Sequence, residues 1–139
     1  MIVMRSFEHA NPTGRPTETP TGAFCIVKET EGRYWFVLVD HKDNLLLRGS
    51  EGHNIRMDCE MSIEAVRLHA PHMIRYVMRG FAGCYSFALK DANGRVIGLS
   101  GVHARERGRR KHIEAVQCIA GKAMIVDLSQ RATVPEPVE

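Results

Sequence analysis

The chain lacks most of the signatures from which an activity is read. No apolar run approaches the ~18 residues a membrane-crossing helix requires, and the apolar stretch within residues 1–7 is too short for a secretory signal. Neither membrane spanning nor secretion is expected. The four cysteines, Cys25, Cys59, Cys84 and Cys118, form no C-x-x-C pair and have no metal-ligand spacing, so they read as reduced core thiols of a cytoplasmic protein. There is no glycine-rich phosphate loop, nucleophile elbow or Cys/His dyad. Enzyme activity is therefore the least supported class, and no catalytic residue, metal or cofactor is expected. The net charge is only +3, too small to single out nucleic acid or a membrane surface by itself.

What the chain does contain is one pattern written twice. With 139 residues, 44% apolar and 25% charged, it has the size and composition of one soluble domain. Residues 32–70 and 83–120 correspond. At an offset of 51 they share Gly32/Gly83, Tyr34/Tyr85, Phe36/Phe87, Leu38/Leu89 and Asp40/Asp91. At an offset of 50 they share Ser50/Ser100, His53/His103, Ile63/Ile113, Glu64/Glu114, Ala65/Ala115, Val66/Val116 and Ala70/Ala120. One extra residue in the first copy's turn accounts for the change of offset.

Residues 24–28, 34–39 and 45–47 read as strands, the second from its aromatic and β-branched content. From Arg56 the period changes: Cys59, Ile63, Val66 and Ala70 line one helical face, and Pro71 ends the helix. Residues 73–78 form a linking strand. The second copy repeats the order, with strands over 85–90 and 96–99 around the Asn93-Gly94 turn, a helix over 105–119 and a strand over 123–128. The expected fold is α+β: two tandem β-β-β-α-β repeats form one antiparallel sheet with both helices on one face and the closing strands exchanged between repeats. A single domain spans 22–129, with repeats over 22–79 and 73–129 that share the linking strand. A flexible arm (1–21), rich in proline and threonine, precedes it, and a disordered tail (130–139) follows.

The motifs Gly32-Arg33-Tyr34-Trp35-Phe36 and Gly83-Cys84-Tyr85-Ser86-Phe87, the turn Asn93-Gly94-Arg95-Val96-Ile97, and the helix cores Ile63-Glu64-Ala65-Val66-Arg67 and Ile113-Glu114-Ala115-Val116-Gln117 resemble those of the YegP-like proteins, a bacterial family built from one or two copies of a domain of unknown function. The resemblance covers about 22–128. It implies β-β-β-α-β units assembled into one sheet, and no catalytic residue. The chain departs from the family pattern at His53 and His103, where an aromatic is usual, at Arg109, where a small residue is usual, at His112, and in its long N-terminal arm.

Three groups are candidates for function. His53 and His103 form a repeated pair that could meet near the pseudo-twofold axis, but two imidazoles make a poor metal site, and Glu51 and Glu106 do not sit at equivalent positions. Glu64 and Glu114 lie at the helix flanks, where pairing with Arg67 or Lys111 accounts for them. The basic stretch Arg105, Arg107, Arg109, Arg110 and Lys111 faces a nearly neutral counterpart in the first copy, which makes it the sharpest asymmetry. Cations at a helix N-terminus oppose the macrodipole, and an anionic partner would relieve them. The expected function is a non-catalytic module that binds a protein partner; the alternative is a nucleic-acid-binding protein using this basic turn.

Overall fold

The computed structural model describes residues 21–130. The expected arm and tail lie outside the described residues apart from Thr21 and Gln130. The elements are β1 (Gly22–Lys28), β2 (Tyr34–Asp40), β3 (Leu45–Gly49), α1 (Arg56–His69), a single 3₁₀ turn (Met73–Arg75), β4 (Tyr76–Phe81), β5 (Cys84–Lys90), β6 (Val96–Leu99), α2 (Glu106–Ile119) and β7 (Met124–Asp127).

Among the described residues seven strands form one mixed sheet in the order β4-β5-β6-β3-β2-β1-β7. Every neighbouring pair is antiparallel except β1 and β7, which run parallel. The expectation of a wholly antiparallel sheet is corrected at that pair. β1 already occupies the edge of β2, so the strand leaving α2 joins outside β1 and runs in the same direction. The strand leaving α1, β4, pairs with β5 at the other end of the sheet.

The linking strand also differs from expectation. Residues 73–75 form a 3₁₀ turn, closed by Arg75 N–H donating to His72 O, and the strand runs from Tyr76 to Phe81. Pro71 stops α1, and the chain needs this turn before it can extend. Gly80, at φ +88°, permits the tight return into β5; a Cβ there would lie 1.8 Å from Cys84 O.

The two hairpin turns are built alike. Asp40 Oδ1 accepts the N–H groups of Lys42 and Asn44, and Asp91 Oδ1 those of Asn93 and Arg95. Burial pushes the Asp40 carboxyl up, but these hydrogen bonds outweigh it and leave its pKa below the ordinary value; at Asp91 the Arg95 amide leads the lowering. Asp40 N–H donates to Asn44 O and Asp91 N–H to Arg95 O, so the turns are equal in length. The extra residue of the first half therefore falls after β3, near Gly49 and Ser50, and not in the hairpin turn.

The core lies between one sheet face and both helices. Phe24 and Ile26 of β1, Phe36 and Leu38 of β2, Leu47 of β3, and Phe87 and Leu89 of β5 share that face and are buried. α1 contributes Cys59, Ile63 and Val66, and α2 contributes Ile113, Val116 and Ile119, at the spacing of a helical stripe. Burying each large side chain stabilises the fold by roughly 1.5–3 kcal/mol. The reading of all four cysteines as core thiols is corrected: only Cys59 is buried, Cys25 is half-buried, and Cys84 and Cys118 are exposed. Burial raises the Cys59 thiol to about 11. Among the described residues no helix is long and apolar enough to cross a membrane.

Candidate partner-binding surface

The five basic candidates separate into two groups. Arg105 is the N-cap residue of α2, extended at φ −135° and ψ 153°, with no side-chain cap hydrogen bond. Arg105, Arg107, Arg110 and Lys111 are exposed, and none has an ion-pair partner among the described residues. Arg109 is half-buried and turned inward. Its Nη1 donates to Arg79 O at 3.0 Å and to Ser86 O at 3.4 Å, and its guanidinium lies 5.3 Å from the centroid of the Tyr85 ring. It ties α2 to the β4–β5 hairpin, leaving the other four to present positive charge outward.

The outward faces of the helices diverge at matched positions. On α1, Met57 (63% exposed), Met61 (63%) and Leu68 (65%) form an apolar ridge at helical spacing. The corresponding positions of α2 are Arg107, Lys111 and Cys118, all exposed. Glu64 pairs with Arg67 at 2.7 Å, the flank arrangement expected for it. At such exposure the pair contributes little to stability.

His53 and His103 occupy matched sites, bridging Tyr34 and Tyr85 respectively as isolated β-bridges. Each is held by its own half: His53 Nε2 is 2.9 Å from Ser62 Oγ, and His103 Nε2 is 2.7 Å from His112 Nδ1. Neither of these hydrogen bonds joins the two histidines to each other. His112 Nε2 lies 2.6 Å from Leu46 O, which can only accept, so Nε2 carries the proton and Nδ1 of the neutral ring accepts from His103. Burial leads the lowering of the His112 pKa, reinforced by the nearby His103. Repetition singled out His53 and His103; the partners Ser62 and His112, nine residues further on, were legible only as departures between the copies. Among the described residues no group of three or more His, Cys, Asp or Glu side chains could hold a metal ion.

The exchange of Ser62 for His112 shapes a cavity. A space of about 170 Å³ lies beside Ser50, His53, Ser62, Asp91 and Arg95. In the second half the matched space is filled by the His112 ring, which packs edge-on to Phe87 at 5.6 Å and reaches Leu46 O. The cavity is smaller than the ~300 Å³ at which ligand pockets begin. The Ser62–His53 pair is an incomplete nucleophile–base arrangement, because among the described residues no carboxylate hydrogen-bonds to His53. A larger groove of about 410 Å³ runs between α2 and β4, floored by Met73, Met78 and Ile113.

Comparison with known proteins places this geometry. Residues 82–127 match the family model for a domain of unknown function, DUF1508. The chain is 32% identical over 109 residues to the UPF0339 protein in the ptx operon 5' region of Stutzerimonas stutzeri, covering 78% of this chain and 97% of that protein. The solution structure of YegP from E. coli, a protein of unknown function, aligns with a TM-score of 0.72 at 27% identity, over 78% of this chain and 93% of that one. The solution structure of the UPF0339 protein SO3888 from Shewanella oneidensis aligns with a TM-score of 0.74 at 23% identity, over 84% and 98%, and shares the fold. With near full-length coverage of a relative at this identity, and a sheet-and-helix framework common to both solved structures, the chain belongs to the UPF0339 family of YegP-like proteins.

Proposed function

We propose that this chain is a non-catalytic cytoplasmic interaction module, a rigid platform of two tandem β-β-β-α-β copies with exchanged closing strands, whose outer helix surface binds a protein partner. One observation carries the reading: Met57, Met61 and Leu68 on α1 stand exposed where α2 presents Arg107, Lys111 and Cys118. Folding uses neither set, because the buried stripes of both helices are elsewhere. Methionine ridges adapt to a partner's shape, and exposed arginines select acidic surfaces. The partner's chemistry is therefore an apolar patch flanked by carboxylates. A second reading, nucleic-acid binding, draws on Arg105, Arg107, Arg110 and Lys111 clustered at a helix N-terminus that lacks a side-chain cap.

Capture on the immobilised chain from a lysate of the source cell, with and without nuclease, tests both. Proteins retained after nuclease treatment support the first reading. Capture abolished by nuclease, with affinity falling steeply as salt rises from about 50 to about 200 mM, overturns it in favour of the second.

A further inference from the structure

Each helix reaches over the middle of the sheet onto the other half's third strand, α1 onto β6 and α2 onto β3. At the second of these crossings His112 points from α2 toward the sheet. Its Nε2 lies 2.6 Å from Leu46 O, its Nδ1 lies 2.7 Å from His103 Nε2, and its ring packs edge-on to Phe87 at 5.6 Å. Leu46 is the residue passed over where the pairing of β2 with β3 shifts from Leu38/Leu47 to Val39/Leu45. A residue passed over in this way leaves the ladder, which frees its carbonyl for a side chain. β5 and β6 repeat the irregularity: Ile97 is passed over between Leu89/Gly98 and Lys90/Val96. Ile97 is therefore the counterpart of Leu46.

The crossing of α1 over β6 keeps the walls of that arrangement and lacks the ring. The cavity of about 170 Å³ is lined by His53, Phe36 and Ile97, the counterparts of His103, Phe87 and Leu46. Asp91 lines it as well, and its counterpart Asp40 is close enough to His112 for its charge to act on that ring. The exchange lies on the helix. Ser62 stands where α2 has His112, and its side chain stops at a hydroxyl 2.9 Å from His53 Nε2. The second half thus displays, covalently attached, the group that the walls of the first half are shaped to hold.

We propose that this cavity is a binding site for a small planar nitrogen heterocycle, of which imidazole is the simplest, held between His53 Nε2 and Ile97 O against the Phe36 ring. The ligand presents an acceptor nitrogen to His53 and an N–H to the carbonyl, as the neutral His112 ring does to His103 and Leu46 O. A site with a fixed donor on one side and a fixed acceptor on the other rejects a ring that lacks either group. A cavity below the ~300 Å³ of ordinary ligand pockets suits one ring. The exposed Glu51 and Arg95 also line it, so a substituent on the ring emerges between charges of opposite sign. The site lies between α1 and the sheet, and it stands or falls separately from the partner surface.

Imidazole itself is the probe, titrated into the isotope-labelled full chain at about pH 8, where the ring is neutral. The amide resonances of Phe36, His53, Ser62 and Ile97 should shift and saturate with a dissociation constant of about 1 mM, within the efficiency limit of very small ligands. Those of Leu46, Phe87 and His103 should stay in place. N-Methylimidazole, which has no N–H for Ile97 O to accept, should bind at least about tenfold more weakly. Ser62→His carries the ring into the cavity on the chain itself and should abolish the shifts while raising the urea midpoint. His53→Phe keeps the shape of the wall, removes the donor and should weaken binding at least about tenfold, which keeps the test decisive if Ser62→His does not fold. His112→Ser opens the matched space, and imidazole should then also shift Leu46, Phe87 and His103. The absence of a saturable shift at about 10 mM, tenfold above the expected constant, overturns the proposal. Equal binding of the two rings, or binding unchanged in folded Ser62→His or His53→Phe, also overturns it.

Discussion

Truncating one isoleucine in each helix probes whether the two halves share a core. Ile63 and Ile113 are both buried, each on the inner stripe of its helix, and each faces the same side of the sheet. Removing three carbons of a buried side chain costs about 2.4 kcal/mol in lost transfer energy at ~0.8 kcal/mol per methylene. An unfilled cavity adds to this, and large-to-small core changes as a class cost about 2–5 kcal/mol. Ile63 is fully buried in the same core cluster as Cys59, Val66, Phe24 and Phe36, and Ile63→Ala should cost about 3–4 kcal/mol. Ile113 borders the groove along β4, which gives its surroundings more freedom to adjust. Ile113→Ala should therefore cost at least about 2 kcal/mol, but no more than Ile63→Ala. Urea unfolding followed by far-ultraviolet circular dichroism gives both values, provided the denaturant slope stays that of the native chain. If Ile113→Ala lay within about 0.5 kcal/mol of the native protein, as a surface change does, the common core described above would be refuted.

The arginines of α2 should divide in a thermal melt: reversing Arg107 and Arg110 to glutamate leaves the melting temperature unchanged or slightly raised, because negative charge suits a helix N-terminus. Arg109→Ala, which strips a charged donor from Arg79 O and Ser86 O, should cost about 1–3 kcal/mol. Acid should weaken the fold through His112. Burial holds its folded pKa below the ordinary ~6.5, so the unfolded chain takes up the proton first. Stability from this group is complete above ~6.5 and falls as pH drops through the folded value, so urea midpoints at about pH 7.5 and about pH 5.5 should differ more for the native chain than for His112→Ser. Thiol alkylation of the native protein near pH 8, read by mass spectrometry, should modify Cys84 and Cys118 while sparing Cys59 until denaturant is added.

Much of this architecture was legible because the same residue pattern is written twice along the sequence. Tyr34 to Asp40 and Cys84 to Lys90 carry the same aromatic alternation, and both helices place Ile, Ala and Val at the same turn, so strands and helices followed from pattern alone. The parallel pairing of β7 with β1 was not legible. Period and composition say that a strand forms, but not which edge receives it, and that edge depended on β1 having taken the place beside β2. Arg109 looked like its neighbours because a run of cations has no direction in sequence; only its height on α2 above the Arg79–Ser86 pair turns it inward. Likewise the repeat drew attention to His53 and His103, whereas the contacts that hold them come from Ser62 and His112 on the helices. The exposure of Cys84 and Cys118 escaped notice because a cysteine's ordinary burial is a tendency of the residue type, and these two lie at a strand end and on an outer helix face.

The surface assigned to a partner can be tested with three forms of the full chain immobilised side by side: native, Met57→Ser with Met61→Ser, and Arg107→Glu with Arg110→Glu. Each is first shown to melt as the native chain does, then exposed to nuclease-treated lysate, and the retained proteins are quantified by mass spectrometry. The account predicts a defined set of proteins on the native chain that is depleted on both variants, since the apolar and basic ridges act on one partner. Retention of the same proteins at the same level on all three forms would contradict it.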